Sequence, residues 1–233
     1  MKPFKNLLKK KENKNNNSAP KYMSNEIDKD INKNIEKVRN EFGNSSDLSI
    51  SISRVYNHDD LCYATIYIEN LVDKNTINSL SLGIVEVLES KEKLEDRSPE
   101  GYFRAFKNIL LGFRKFEEDS DFNVLINNLA SGKTIFLVDG CSKFITLDIF
   151  SVEGRAITEP TTQNVIRGPK ECFVENISVN ISLIRKRIKN KALRVEDLSL
   201  GYMTKTKVTL MYIDKIARQD IVDEIKEDLT QLI

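Results

Sequence analysis

The 233-residue chain holds a single histidine and only three cysteines. Both scarcities narrow the chemistry. His58 sits beside Asp59 and Asp60, with no second histidine or nearby cysteine to complete a ligand set, so it reads as a surface-loop residue. Cys62, Cys141 and Cys172 have no metal spacing and make an odd count. Cys62 and Cys141 fall in or beside strand-like runs, which marks them as core thiols of a reducing compartment. No serine, cysteine or histidine placement gives a nucleophile–base pair, so an enzyme is the least supported class. No metal or cofactor is implied.

Long apolar runs are also missing. No stretch of ~20 apolar residues occurs, so nothing reads as a membrane span. The N-terminus is basic, but its apolar part is only Phe4, Leu7 and Leu8, too little for a signal peptide. Net charge is only +1, unevenly spread: residues 1–22 carry +6, leaving −5 for the rest. The asparagine- and lysine-rich residues 1–24 are expected to form a disordered tail, with contact to anionic lipid as a second reading. The mildly acidic remainder does not imply a broad nucleic-acid surface.

What is present is alternating helix and strand patterning. A polar helix is expected over Asn25–Phe42, on Ile27, Ile31, Ile35 and Val38, ended by Gly43. Leu48, Ile50 and Ile52 alternate with serines as a half-buried strand, and Cys62–Ile68 reads as a central strand. Helical spacing follows over 75–88, over Tyr102–Phe116 and over Phe122–Leu129. The aromatics of the second of these interleave with Arg104, Lys107, Arg114 and Lys115. Core packing explains that pattern more simply than RNA stacking. Two strand-like runs, Lys133–Val138 and Lys143–Phe150, flank Asp139-Gly140 as a hairpin. Ser131–Thr134 resembles the end of a phosphate-binding loop, but position 127 is Asn where a glycine is required.

The densest signals lie in 153–196. Gly168-Pro169 reads as a helix entry. Phe173, Val174, Ile177, Ile181, Ile184 and Ile188 trace one helical stripe, and Arg185, Lys186, Arg187 and Lys189 crowd the helix end. Pro160 and Pro169 stiffen the linker that carries Glu159 and Arg167. Two strands, Leu193–Leu198 and Val208–Ile213, and a helix from Gln219 complete the chain. Adding 145 to the residue number overlays helix 26–42 on 171–187, strand 48–54 on 193–199, and Ile66–Glu69 on Met211–Asp214. The expected fold is therefore α/β (α+β): two small related subdomains with mixed sheets, each in helix-strand-strand-helix order. The expected boundaries are 25–152 for the first subdomain, 153–170 for the linker and 171–233 for the second, which lacks a counterpart of the hairpin.

The run RAITEP, then VIRGP, FVENISVNISLIRKRIKN, LRVE and GYMTKTKV, in that order, resembles the A-subunit family of spore germination receptors (the GerA family). Carriers of the resemblance include Arg155, Glu159, Pro160, Arg167, Gly168, Pro169, Asn180, Arg185, Arg187 and Lys205. Gln163 and Cys172 depart from the family pattern, where Glu and Gly are usual. The resemblance implies the N-terminal soluble region of a germinant-receptor A subunit, facing the cytoplasm at the inner spore membrane. It implies B and C subunits and further A subunits as partners, and attachment to the membrane through a region absent from this chain. It also implies that the chain stops before that soluble region is complete. The role expected on this basis is assembly and signal coupling during germination, without nucleic acid. Glu159 and Arg167 would hold the subdomains in register; Arg185, Arg187 and Lys205 would meet acidic groups of a neighbouring subunit, against the alternative of a solvated helix end. The alternative function is a germinant-binding domain with a cleft between the subdomains.

Overall fold

The computed structural model describes residues 25–54, 61–89, 96–110, 116–150 and 172–231. Helix α1 runs Ile31–Phe42; the Asp30 side chain accepts from the Asn32 N–H and caps it. Ile31, Ile35, Val38 and Phe42 repeat at three and four residues and are buried. The helix stops at Gly43, whose φ of 61° lies in the left-handed region that glycine enters without penalty. The expected start at Asn25 is corrected to Ile31. Asn34, 1% exposed, explains why. Its amide donates to the Asp28 carbonyl and accepts from the Asp28 N–H, at 2.6 and 2.9 Å, and so folds the preceding residues back instead of letting them continue the helix. Asn34→Ala is expected to cost about 1–3 kcal/mol of stability, because two partly buried backbone groups lose their partners. Urea denaturation measures this.

Strands β1 (Leu48–Arg54) and β2 (Cys62–Ile68) follow. After a 3₁₀ turn at Glu69–Leu71 come α2 (Lys74–Glu89), α3 (Pro99–Leu110), β3 (Phe116–Asp119), α4 (Phe122–Ala130), β4 (Thr134–Val138) and β5 (Phe144–Leu147). The strands form one sheet in the order β1-β2-β4-β5-β3. Every pairing is antiparallel, where mixed sheets were expected; the α+β class holds. Strands β4 and β5 are buried at every position, which is why their sequences are apolar without alternation. One apolar core lies between the sheet and helices α1 and α4 and includes Ala64, Ile66, Leu125 and Phe144. The other lies under α2 and α3 and includes Tyr63, Leu80, Phe106 and Phe136. Phe106 is fully buried, edge-on to Tyr63 at 5.0 Å, so the aromatic run of α3 is core packing. The helix expected over Tyr102–Phe116 instead ends its described part at Leu110, and Phe116 opens strand β3. Acidic and only four residues long, β3 gives no period-two signal; it is held at the sheet edge by pairing with β5. Thr134 begins a strand, not the helix that a phosphate loop requires.

Residues 172–231 repeat the opening of the fold. Helix α5 (Ile177–Arg187) is capped by Asn176 and followed by β6 (Leu193–Leu200), β7 (Thr206–Ile213) and α6 (Gln219–Gln231). Leu48 pairs with Ile68 and Arg54 with Cys62; 145 residues on, Leu193 pairs with Ile213 and Ser199 with Lys207. The turn bonds repeat as well: Leu48 N–H to Ser45 O and Glu69 N–H to Asp47 O become Leu193 N–H to Asn190 O and Asp214 N–H to Ala192 O. The αββα unit therefore occurs twice, in one strand register. Residues 172–176 are not helical, and α5 opens at Ile177, not at Pro169, which lies outside the described residues. The same device is at work: the Asn180 amide bonds the N–H and carbonyl of Val174 at 2.8 and 2.7 Å. Phe173, placed on the apolar stripe by spacing, is 66% exposed.

Candidate functional site: a buried clamp between the two units

The contact between the first αββα unit and the second is polar at its centre. Beyond Gly43 the chain turns through Ser45, Ser46 and Asp47 into β1. Ser45 and Asp47 are each 4% exposed, and Arg185 of α5 is 1% exposed. The Arg185 guanidinium meets Asp47 as a fork: Nε to Oδ2 at 2.8 Å and Nη2 to Oδ1 at 2.8 Å. Nη2 also donates to Ser45 Oγ at 3.0 Å. The Ser45 hydroxyl donates to Asp47 Oδ1 at 2.9 Å and accepts from the Val195 N–H at 2.8 Å. The Val195 carbonyl takes the Ser46 N–H at 2.8 Å and the Ser46 hydroxyl at 3.0 Å. The α1–β1 turn thus bonds the free edge of β6 and the inner face of α5 together. Moving two charges out of water costs several kcal/mol each, and the fork with its added hydroxyl is the kind of geometry that offsets this. Loss of either partner would strand the other.

A second layer surrounds the pair. Arg194 of β6 donates from Nη1 to the Glu41 carbonyl at 3.2 Å and from Nη2 to Asp214 at 2.8 Å. Lys191 pairs with Glu41 at 2.5 Å. Arg194 lies across Gly43: a Cβ there would stand 2.3 Å from its Nε. Helix α5 also packs on the 3₁₀ turn at Glu69–Leu71. The repeat has no second copy of the clamp. The positions 145 residues from Arg185, Ser45 and Asp47 are Asn40, Asn190 and Ala192, and Asn40 is exposed. The pair therefore belongs to the contact between units and not to the unit itself.

The residues singled out by sequence fall as follows. Arg155, Glu159, Pro160, Arg167, Gly168 and Pro169 lie outside the described residues. Asn180 closes its own segment on Val174. Arg185, expected to reach a neighbouring subunit or solvent, points inward to Asp47 of its own chain; it shares the buried face of α5 with Ile181 and Ser182, one helical turn before it. Arg187 and Lys205 are exposed, Lys205 with a φ of 45° in the β6–β7 turn. Sequence reasoning missed Ser45, Asp47 and Arg194. The available signal was the position of Arg185 on the apolar stripe, four residues after Ile181.

No group of acidic, histidine or cysteine side chains that could hold a metal occurs among the described residues. Cys141 is pushed up to about 11 by burial and by the nearby Glu100 and Asp139 carboxylates, which leaves it an unreactive core thiol. A groove of about 360 Å³, lined in part by Glu100, Phe103, Lys107 and Cys141, lies between α3 and the β4–β5 turn, outside both αββα units. No helix among the described residues is long and apolar enough to cross a membrane.

The described residues form a doubled αββα fold whose units are joined by a buried ion pair. A family model described as Bacillus/Clostridium GerA spore germination protein matches residues 36–233, and the chain belongs to that family. It is 34% identical over 205 residues to spore germination protein KA of Bacillus subtilis (strain 168), covering 86% of this chain and 36% of that protein. Stage V sporulation protein AF of the same organism is 30% identical over 166 residues, covering 71% of this chain and 32% of that protein. The chain therefore spans only about a third of the length of these curated relatives. Among solved structures, the N-terminal domain of the A subunit of the Bacillus megaterium spore germinant receptor GerK3 superposes with a TM-score of 0.71 at 25% identity, covering 88% of this chain and 72% of that one. The fold is that of this N-terminal domain.

Proposed function

We propose that this chain is the N-terminal domain of a germinant-receptor A subunit, acting in assembly and signal coupling during spore germination. Its units would be 25–152 and 171–233, joined through 153–170. The observation that carries the reading is the Arg185–Asp47 fork, which makes the α5–β6 corner and the α1–β1 turn one mechanical piece. Packed, charge-paired contacts move between discrete arrangements, so a rotation of one unit is passed to the other. The family membership supplies the process. Partners of this kind would be the receptor's B and C subunits and other A subunits at the inner spore membrane, with the domain on the cytoplasmic side. Arg187 and Lys205, exposed on the second unit, are the positions proposed to face them. The alternative is a germinant-binding domain with its site in a cleft between the units.

The test is germination of spores whose full-length receptor carries Arg185→Met together with Asp47→Leu. That combination removes both charges and leaves neither stranded. At equal receptor level, germination is expected to slow by about tenfold, the size of a typical inter-site coupling. Wild-type rates would remove the coupling role.

A further inference from the structure

The β6–β7 hairpin ends in an apolar apex that stands in the open. Its ladder runs out to Leu200 opposite Thr206, and the chain turns over 201–205 beyond that pair. Tyr202 and Met203, at the top of this turn, are 84% and 87% exposed. The turn is nevertheless held in one shape. The Lys205 N–H donates to the Gly201 carbonyl at 3.0 Å, and the Thr204 hydroxyl to the Leu200 carbonyl at 3.4 Å. Gly201 and Lys205 close it from the left-handed region, at φ of 83° and 45°. Both apolar side chains are therefore presented on a formed loop.

The αββα unit does not itself require this apex. The residues 145 positions earlier are Asn57 and His58, both polar. In the first unit the covering strand also stops short of the hairpin tip. Strand β4 pairs with β2 from Ile66 to Tyr63, and the Asp139 N–H after it bonds the Cys62 carbonyl. The counterpart of Cys62 is Lys207, so the cover that this fold gives a sheet ends before the positions of Tyr202 and Met203. The charge around the apex is of one sign. Residues 198–213 include no acid, and Lys205 and Lys207 follow the turn directly. Lys207 pairs with Asp197 of the facing strand at 2.8 Å, while Lys205 is exposed at the apex.

We propose that this apex docks on an anionic phospholipid surface, with Tyr202 and Met203 entering the interface and Lys205 meeting lipid phosphates. Size argues against a protein pocket as the occupant. A stable protein contact buries roughly 800 Å² on each partner, and two side chains on a convex turn supply only a fraction of that. A bilayer accepts a protruding apex without a matching cavity. Tyrosine suits its boundary, with the ring among apolar groups and the hydroxyl at headgroup level. Methionine adapts its shape to a soft surface, and a lysine beside anionic lipid adds attraction. Lys205, offered above to neighbouring subunits, takes lipid on this inference, which rests on the hairpin alone and not on the clamp.

The test uses the intact chain, which has no tryptophan, so that Tyr202→Trp reports from the apex alone. Vesicles of equal parts phosphatidylglycerol and phosphatidylcholine are expected to move its emission to shorter wavelength, as the ring leaves water. Vesicles of phosphatidylcholine alone are expected to leave it unmoved. Adding Lys205→Glu, which changes the local charge by two, is expected to raise the anionic vesicle concentration needed at least about tenfold. Ile216→Trp, at a position 76% exposed beyond the opposite end of the ladder, is expected not to respond. That comparison separates docking by the apex from adsorption through the basic residues 1–22. No shift at Tyr202→Trp in excess anionic vesicles would overturn the proposal. So would an equal shift at both tryptophan positions, or an equal shift with neutral vesicles.

Discussion

Replacing Arg185 by methionine is expected to lower the unfolding free energy by about 3–5 kcal/mol, because Asp47 is left buried with its charge unpaired. Ser45 alone cannot replace the fork; it supplies one hydroxyl hydrogen, already given to Asp47. Removing both partners is expected to be far milder. Arg185→Met with Asp47→Leu takes away the two desolvation penalties along with the attraction, and buried pairs exchanged for apolar groups are often close to neutral. Urea denaturation of the four members of this cycle measures both effects. A single-variant loss below about 1 kcal/mol, the range of an exposed pair, would contradict the burial.

Gly43→Val is expected to destabilise the chain by about 2–3 kcal/mol through two separate effects. The φ of 61° is a left-handed conformation that a β-branched residue adopts only with strain, which costs on the order of 1–3 kcal/mol. The added Cβ also meets Arg194, 2.3 Å from Nε, and displaces the guanidinium from the Glu41 carbonyl and from Asp214. The two parts can be separated. In an Arg194→Ala background the steric part disappears and the backbone strain remains, so thermal unfolding of the double variant is expected to show a smaller increment for valine than the single variant does.

Much of the fold could be read from the residues. Elements with one period and one burial pattern were legible: β1 and β2, α2, α4 and the β4–β5 hairpin lie close to where spacing put them. So was the 145-residue repeat, which the strand register reproduces pair for pair. The misses share a cause. The true starts of α1 and α5 are set by Asn34 and Asn180, which satisfy backbone groups six residues earlier; periodicity says nothing of such a clip. Strand β3 owes its conformation to β5, not to its own acidic sequence.

The site was half legible. The helix-end cluster that holds Arg185 was flagged, but a basic run at a helix C-terminus is ordinarily solvated, complementing the helix dipole. What sets Arg185 apart from Arg187 is a helical rotation of two residues that carries it onto the face shared with Ile181. Its partner lies 138 residues away, in a turn whose Ser-Ser-Asp reads locally as nothing more than a connection. Long-range pairing of one charge with one turn leaves no periodic trace in either segment.

The clamp is expected to make the two αββα units open as one, and native-state hydrogen exchange reads this. The Thr65 N–H in β2 and the Leu210 N–H in β7 occupy equivalent positions in the repeated ladder, 145 residues apart. In the native chain their opening free energies are expected to agree within about 1 kcal/mol; in Arg185→Met, Leu210 is expected to exchange through an opening at least about 2 kcal/mol easier than that of Thr65. A gap of that size already present in the native chain, or no gap in the variant, would contradict the coupling.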